Sequence, residues 1–595
     1  MEEFTFDVAV IGGGIGGICT AIAAARSGAK TVLIQDRPVL GGNASSEIRM
    51  HICGASCHGK FPNRRETGIL EEILLENKKR NPDHSYAIFD SILWEKVRFQ
   101  ENLTLFLNTY MTSAAVSNSK ILSVDAVQLT SERKLRFGAG IFVDATGDGT
   151  LAVYAGANTF MGRESKDTFR EDNAVTSADT VTMGNSLMFH AIDVGHPSPF
   201  IRPDWAYDFK DSEWVKHQKW VEITSGYWWL EIGGKYWDVI TQSEDTRDEL
   251  LRIVYGIWDY IKNRLPERSA NLMLDWVGMV PAKRESRRIE GDYILNENDL
   301  AENRQFNDAV AYGGWHVDAH GAERFLNQTV QMQEECEDKT RWLDDIYQIP
   351  YRCLYSKQID NLMMAGRNIS VSHRAVASTR VMGTCAVCGQ AVGTAAALAV
   401  KYQISPRQVG QFHIRQLQQE LAKNDCFIPG YIHIDTSDLA LMANVHCSAA
   451  LADAPCTNLV NGISRNIGEK VNYWAAAMEN SEKPWIELQW ANPVQICQLQ
   501  LVFDSNLSIE IMQSLSQWCI DKQSRLVPDT IVADYRIEFF TNGTPVATHT
   551  VTGNYQRLCT HFFGNIDCDT VRITVLATNG AKEARIFAVR AYNAL

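Results

Sequence analysis

The hydrophobic rhythm of the chain changes character between its N-terminal two-thirds and its last third. Phe4-Thr5-Phe6-Asp7-Val8-Ala9-Val10-Ile11 is a short, nearly continuous apolar run, the mark of a strand buried on both faces. Ile18 to Ser27 continues with small and apolar residues and predicts a helix, and a second strand runs from Thr31 to a stop near Ile34. Leu103 to Val116 alternates as a strand of a hairpin, and a small-residue helix runs through Gly389-Gln390-Ala391-Val392-Gly393-Thr394-Ala395-Ala396 to Ala399 and Val400. A polar connector spans Asp425 to Leu441. From Ala449 onward helical periodicity disappears, and Pro484 to Leu488, Val494 to Phe503, Tyr535 to Phe539 and Val571 to Val575 alternate as short strands. That pattern predicts an antiparallel sandwich.

Between the first strand and its helix stands Gly12-Gly13-Gly14-Ile15-Gly16-Gly17. In that context Gly12 makes a tight turn, Gly14 lets backbone N–H groups approach a pyrophosphate, and Gly17 allows close helix–strand packing. The phosphate then meets the positive end of the helix that follows. The strand ending near Ile34 stops about 20 residues later, where an acidic residue normally holds the ribose hydroxyls. The corresponding position is Gln35, which is assigned to the ribose, with Asp36 as the fallback.

The segment Thr31 to Asn43, with its pair Gly41-Gly42, resembles the second glycine motif of two-dinucleotide-binding flavoproteins. Val143-Asp144-Ala145-Thr146-Gly147-Asp148-Gly149 is similar to their ATG motif. Asn361-Leu362-Met363-Met364-Ala365-Gly366-Arg367-Asn368, followed by Gly383-Thr384, resembles the element that seals FAD against the sheet. Taken together, the region up to about residue 420 resembles the FAD-dependent oxidoreductases of the glutathione-reductase-like superfamily. The strings at Leu33 to Glu47 and Arg284 to Tyr293 are those of a bacterial branch with few assigned substrates. The resemblance implies an FAD cofactor held by Gly12, Gly14, Ile15, Gly17, Gln35, Asp36, Arg37, Gly41, Gly42, Asn43 and Ser45. It extends that set to Arg49 and His51 beside the flavin, the backbone near Met111 at the adenine edge, and Thr146, Gly147, Gly366, Arg367, Gly383 and Thr384. His51 also has a loose likeness to the histidine that carries covalent FAD in succinate-dehydrogenase-type enzymes.

The implied fold is an α/β Rossmann-like FAD-binding domain at residues 1–165 and 349–425, with an inserted α+β substrate domain at 166–348. An all-β jelly-roll sandwich follows at 442–595. Asn458-Leu459-Val460-Asn461-Gly462 and Ala584 to Tyr592 give that sandwich its resemblance to discoidin, galactose-binding-like modules. Such modules often bind sugars, but no binding loop matches residue by residue, and a structural or oligomer-forming role stands beside a binding one.

Composition narrows the partners. At 595 residues the chain is expected to hold two or three domains, and no apolar run is long enough to cross a bilayer. A net charge of −14 argues against nucleic acid or an anionic membrane as the main partner. The first strand begins almost at Met1, so no signal peptide is legible; the reading is cytoplasmic, or periplasmic if a leader has been removed. The 14 cysteines show neither metal-ligand pairing nor dense secretory spacing. Cys385-Ala386-Val387-Cys388 invites comparison with disulfide reductases, but those need a cysteine pair near the first FAD helix and a second nucleotide domain.

Ten of the 15 tryptophans fall between Trp205 and Trp342, including Tyr227-Trp228-Trp229, and they either build a core or line a pocket for a ring or a sugar face. Three clusters carry candidate chemistry. Glu47 to Gly54 holds Arg49 and His51. Arg284-Glu285-Ser286-Arg287-Arg288 is joined with Trp315-His316-Val317-Asp318-Ala319-His320, in which His316, Asp318 and His320 share one face if the segment is extended. That face suits a base with its orienting carboxylate; no third partner for a metal is identifiable, and none is assigned. The arginines suit bidentate recognition of a carboxylate or of hydroxyls. His373 leads as the substrate-side base, with Arg380 placed to stabilise negative charge on the flavin.

The expected activity is hydride transfer from a C–OH or C–H centre of a small polar molecule, a sugar or glycoside being favoured, to the flavin, with the electron acceptor unassigned. A redox-neutral flavin-assisted elimination or hydrolysis, and a carbohydrate-binding or assembly protein with structural FAD, stand as alternatives.

Overall fold

A computed structural model describes residues 1–226, 230–321, 340–479 and 482–593. By internal packing the chain divides into two units: one holds 1–57, 84–417 and 512–523, the other 58–83, 418–511 and 524–595.

The first unit is organised by a sheet of β1 (Glu2–Ile11), β2 (Thr31–Ile34), β3 (Leu103–Phe106), β4 (Thr109–Ser117), β5 (Lys120–Gln128) and β6 (Arg133–Asp144). Their order is β3-β2-β1-β6-β5-β4, and Leu362–Met364 adds a parallel strand beside the end of β6. β3, β2, β1 and β6 run parallel, whereas β4, β5 and the first half of β6 form an antiparallel meander. The parallel core is apolar throughout because both faces are covered: Val8, Ala9, Val10, Val32 and Leu33 have no exposed surface. Register aligns Ile11 with Ile34 and Asp144, Ile34 with Phe106, and Met364 with Asp144. Five strands therefore stop on one line, and the glycine-bearing loops leave from it at a point where strand order reverses.

The predicted strand from Leu103 to Val116 is two strands. Asn108 turns the chain with φ 52°, its N–H donates to Arg37 O at 3.1 Å, and its carbonyl accepts from Leu129 N–H at 2.8 Å. Alternation passes through this corner because the residues on either side are buried in the same way. The first helix, α1, spans Ile15–Arg26 and begins directly after the glycine turn.

The late helix Met382–Tyr402 packs across α1. The crossing is close enough that a Cβ on Gly389 would lie 2.2 Å from Gly16 O, and one on Gly393 would lie 2.1 Å from Thr20 O. By length and composition this helix passes for a membrane span, contrary to the sequence expectation, yet 94% of its apolar window is buried inside the protein. It is the core helix of an α/β layer.

Residues between the two halves of the sheet form short antiparallel strands around the helix Ser243–Arg264, with a core of Phe189, Ile253, Ile257 and Trp258. They pack as part of the first unit, so 166–348 is not a separate compact body. In the second unit Trp474–Ala477, Glu583–Tyr592, Trp485–Phe503, Leu558–Thr578, Val532–Thr541 and Thr544–Val551 pair in that order, all antiparallel, with Asn444–Cys447 at the start of Trp485–Phe503. Trp485–Phe503 and Leu558–Thr578 shift register against each other between Gln489 and Val494 and again between Ile496 and Gln498. Ile486, Leu488, Leu501, Ile537, Val571 and Ile573 fill one core.

The boundary at Leu417/Gln418, and the assignment of 58–83 to the second unit, differ from the limits at 425 and 442 drawn from sequence. The reason lies in buried arginines. Within the second unit Arg465 donates to Asn63 O and Thr67 Oγ1 at 3.2 Å, Tyr555 donates to Glu76 Oε2 at 2.9 Å, and Arg557 pairs with Asp425 at 2.7 Å.

Gly389→Ala is expected to cost about 1–3 kcal/mol through overpacking and to lower the thermal midpoint by several degrees. A thermal scan that leaves the midpoint unchanged contradicts the close crossing.

Candidate functional site

The glycine turn is built by exclusion. Gly12 has φ +109°, and a Cβ there would lie 2.2 Å from Ala145 O; a Cβ on Gly17 would lie 2.0 Å from Gly12 O. Gly14 differs: its φ is −67°, available to any residue, and a Cβ there would meet no atom within 4 Å. The loop therefore presses against the sheet at Gly12 and Gly17 and opens at Gly14. Gly14 precedes α1 without any side-chain cap, and no acid occupies the first turn of α1, so its amide end is suited to an anion. Gly41 bridges Gly14, and Gly41 N–H donates to Gly13 O at 2.8 Å, which sets the second glycine motif beside the first.

Gln35 is engaged differently from the sequence expectation. Its Oε1 accepts from Gly13 N–H at 2.7 Å and its Nε2 donates to Val39 O at 3.2 Å. The carboxamide thus braces the glycine turn, and exposed Asp36 is the acid at that strand end. Arg37 pairs with Glu47 at 3.4 Å, and Asn43 Nδ2 donates to Lys283 O at 3.1 Å. Met111 is buried in β4 opposite Ala126, beside a bulge at Thr112. Arg49 adopts φ 60° and lays its guanidinium over Trp276 at 4.1 Å and Tyr86 at 5.3 Å, with half-buried His51 two residues on.

The ATG-like and late segments are locked to each other. Buried Asp144 accepts from Thr146 N–H and Oγ1, Ala152 N–H and Asn368 Nδ2 at 2.7–3.1 Å. Asp148 pairs with Arg367 and Lys283, both at 2.7 Å. Burial pushes the Asp148 carboxyl up, but the Arg367 and Lys283 charges outweigh it and hold it at about 2. Gly366 has φ +118°, and Gly383 N–H donates to Cys53 O at 2.8 Å, tying the start of the long helix to the loop after Arg49. Buried polar atoms of these segments without a hydrogen-bond partner among the described residues include the donors Ser45 Oγ, Arg367 Nε, Thr384 Oγ1 and Arg380 Nε. Buried polar groups are rarely left so, and these donors, with the uncapped start of α1 and the space at Gly14, fit a dinucleotide cofactor.

Two acid–base networks lie beyond the cradle. In the first, Glu231, with no exposed surface, binds His320 Nδ1 at 2.7 Å, accepts from Gly184 N–H at 2.8 Å and lies 3.5 Å from Arg284. His320 Nε2 lies 3.1 Å from Asp318 Oδ2, and Arg380 donates to Asp318 O at 3.1 Å and Oδ2 at 3.4 Å. His316 Nε2 lies 3.6 Å from Asp318 Oδ1, and its Nδ1 lies 3.6 Å from Cys57 Sγ. Burial opposes ionisation of Asp318, but His316, His320 and Arg380 hold its carboxyl far below the usual range. Burial pulls the His316 imidazole down, yet Asp318 and Cys57 push it up to about 9. Glu231 is likewise held low, against burial, by Arg284, His320 and Arg380.

In the second network His373 Nδ1 lies 3.0 Å from Glu285 Oε1, and His373 N–H donates to Glu164 Oε2 at 2.8 Å. Arg288 reaches Glu164 at 3.2 Å and Glu285 at 3.8 Å, and Met183 N–H donates to Glu285 Oε2 at 3.0 Å. His373 opens the helix His373–Thr379 behind the N-cap Ser372.

The structure therefore brings His316, His320, Arg284 and Arg380 together with Glu231 and Asp318. It sets His373 in the second network, whose Glu285 follows Arg284 directly in sequence. The shared face of His316, Asp318 and His320 is present, with Val317 and Ala319 buried on the other side, although only Val317 is bridged as a strand. Sequence reading missed Glu231, whose ladder position opposite Ser186 carries no motif, and Cys57. The tryptophans divide: Trp258 is core, with Trp214, Trp220 and Trp237 packed on it, whereas Trp276, Trp315 and Trp342 touch Arg49, Asp318 and His316. Tyr227-Trp228-Trp229 lies outside the described residues. Cys385 and Cys388 are buried on the long helix and form no disulfide.

A family model described as FAD dependent oxidoreductase matches residues 7–421. No curated protein matches the chain. Solved structures similar to part of it include the lectin domain of lectinolysin complexed with Lewis B antigen, at 12% identity and TM-score 0.21, covering 27% of this chain and 100% of that one. A Streptococcus pneumoniae fucose binding module, at 14% identity and TM-score 0.21, covers 27% and 99%. The family 32 CBM from C. perfringens NanJ in complex with galactose, at 15% identity and TM-score 0.20, covers 27% and 99%.

Because Gly14 is unstrained and open, Gly14→Val is expected to leave the melting temperature of deflavinated protein unchanged while abolishing dinucleotide uptake, measured by flavin fluorescence quenching. Unaltered uptake contradicts the cradle. The His316–Asp318 pair predicts a pH signature: the folded imidazole titrates at about 9, above its ordinary value of about 6.5. Its stabilisation is complete below about pH 6.5 and lost as pH rises through about 9. His316→Gln should therefore lower the melting temperature at pH 6 but have little effect at pH 10.

Proposed function

Because the chain belongs to the FAD-dependent oxidoreductase family, we propose that it oxidises a C–OH or C–H centre of a small polar substrate of sugar or polyol type. When bound, FAD supplies the hydride-accepting chemistry at flavin N5. The observation that carries the reading is Arg380: it immediately precedes the N-cap of the long helix that starts beside the glycine loops, and it binds Asp318, which joins His320.

Gly12 to Gly17, Gly41 to Ser45, Gly366-Arg367 and Gly383-Thr384 hold the cofactor, with Ser45 Oγ, Thr384 Oγ1 and Arg380 Nε as its unshared donors. His320 Nε2 takes the substrate hydroxyl proton in place of its contact with Asp318. Glu231, fixed by Gly184 N–H and Arg284, keeps Nδ1 protonated and steadies the charge that develops, the role of the carboxylate in a nucleophile–histidine–carboxylate triad. Arg380 and Arg284 favour negative charge on the reacting oxygen. Trp276, Trp315 and Trp342 supply flat apolar surfaces suited to a sugar ring. His373, the base favoured from sequence, is held at Nδ1 by Glu285 in the second network and is assigned to support.

Anaerobic mixing with a panel of sugars, polyols and hydroxy acids tests this, with loss of the visible flavin band as readout. A sugar or polyol is expected to bleach the flavin, and His320→Gln should slow bleaching about 10²–10⁴-fold while retaining FAD. His373→Gln should slow it less than His320→Gln does. Bleaching by another substrate class alone, or the reverse order of the two variants, contradicts the proposal.

A further inference from the structure

We propose that Cys57, His316 and Asp318 form a nucleophilic thiol site that accepts an electrophilic carbon. The three side chains stand in the order nucleophile, base and orienting carboxylate, with Cys57 Sγ 3.6 Å from His316 Nδ1 and His316 Nε2 3.6 Å from Asp318 Oδ1. They come from segments 259 residues apart, so no sequence motif announces them. The imidazole is fixed on its face as well as at its edges: Trp342 stacks on it at 4.2 Å with a 19° interplanar angle. The loop carrying Cys57 is held against the His316 segment, where a Cβ on Gly314 would lie 2.4 Å from Ala55 O.

The electrostatics follow from the neighbours. Cys57 and Asp318 face the imidazole directly, Trp315 and Trp342 are neutral, and His320 and Arg380 stand behind Asp318. The ionised Asp318 favours a proton on His316, whose imidazole is held at about 9, so its Nδ1 faces the sulfur as a proton donor. Other cysteines have the opposite environment: burial pushes Cys426 up to about 12 and Cys559 up to about 11.

The covalent step needs no oxidant. With an alkyl halide the sulfur–carbon bond forms as the carbon–halogen bond breaks, and halide leaves with the electron pair. With a carbonyl compound the sulfur–carbon bond forms, the π pair moves to oxygen, and that oxygen takes the proton from His316 Nδ1. The site stands whether or not the chain oxidises a sugar.

The test is alkylation of the full chain with iodoacetamide under native conditions, followed by peptide mass mapping. Cys57 is only 7% exposed, whereas Cys456 is more open, so access alone makes Cys456 the faster. At pH 6.5 Cys57 is expected to react at least tenfold faster than Cys456, and His316→Gln should remove that advantage. In the unmodified chain the advantage of Cys57 over Cys456 should fall as pH rises through about 9, where the His316 imidazole loses its proton. That profile needs no variant and keeps the test valid should His316→Gln fold poorly. Cys57 reacting no faster than Cys456, an advantage unchanged at pH 10, or one that survives in folded His316→Gln each overturn the proposal.

Discussion

The approach of Gly12 to Ala145 is the constraint on which the cradle depends. β1 and β6 are neighbouring parallel strands that end level, so the two chains leaving them must diverge within one turn. They do so with backbone in contact with backbone, and any side chain at Gly12 or Gly17 would force them apart. That contact sets the direction of α1. The long helix Met382–Tyr402 then rests on Gly16 and Thr20, which brings its first turn, with Thr384, to the same edge.

Around this rigid frame the inserted residues assemble buried charges of both signs. Glu231 and Glu285 have no exposed surface and Asp318 is partly buried, and a histidine and an arginine against each hold its carboxyl low. Such networks are costly when incomplete, since a buried charge without its partner loses far more than the pair gains. Their members come from separate stretches near 184, 231, 284, 318 and 380, so the network forms only when those stretches are placed together.

Legibility from sequence tracked the range of the interaction. The glycine turns were readable because turn, strand and helix are contiguous, and the ladder pattern after Ala449 was readable for the same reason. The bond from Gly13 to Gln35 was not legible because it reaches across the strand end, and nothing local distinguishes an amide that braces a turn from one that meets a ribose. The hairpin from Leu103 hid a corner at Asn108 because alternation continued through it. Arg380, Asp318 and His320 were each visible as chemistry-bearing residues, but the pairing of Arg380 with Asp318 and the buried Glu231 were set by tertiary placement. Tryptophan density pointed at once to a core at Trp258 and to a lining at Trp276 and Trp342, and composition cannot separate the two.

The interleaving of the two units has a consequence for how the chain is made. Residues 58–83 leave the ribosome early but pack with strands that follow residue 418, while 512–523 emerge late and complete the first unit. Arg65, Thr67 and Glu76 therefore wait through several hundred residues of synthesis for Arg465, Ser505 and Tyr555. Contacts of such span close late and slowly. Neither unit corresponds to a contiguous stretch of message, so a nascent chain halted before the final strands leaves Ile69, Leu70, Ile73, Leu74 and Leu75 of the helix Ile69–Arg80 uncovered, a species suited to chaperone capture.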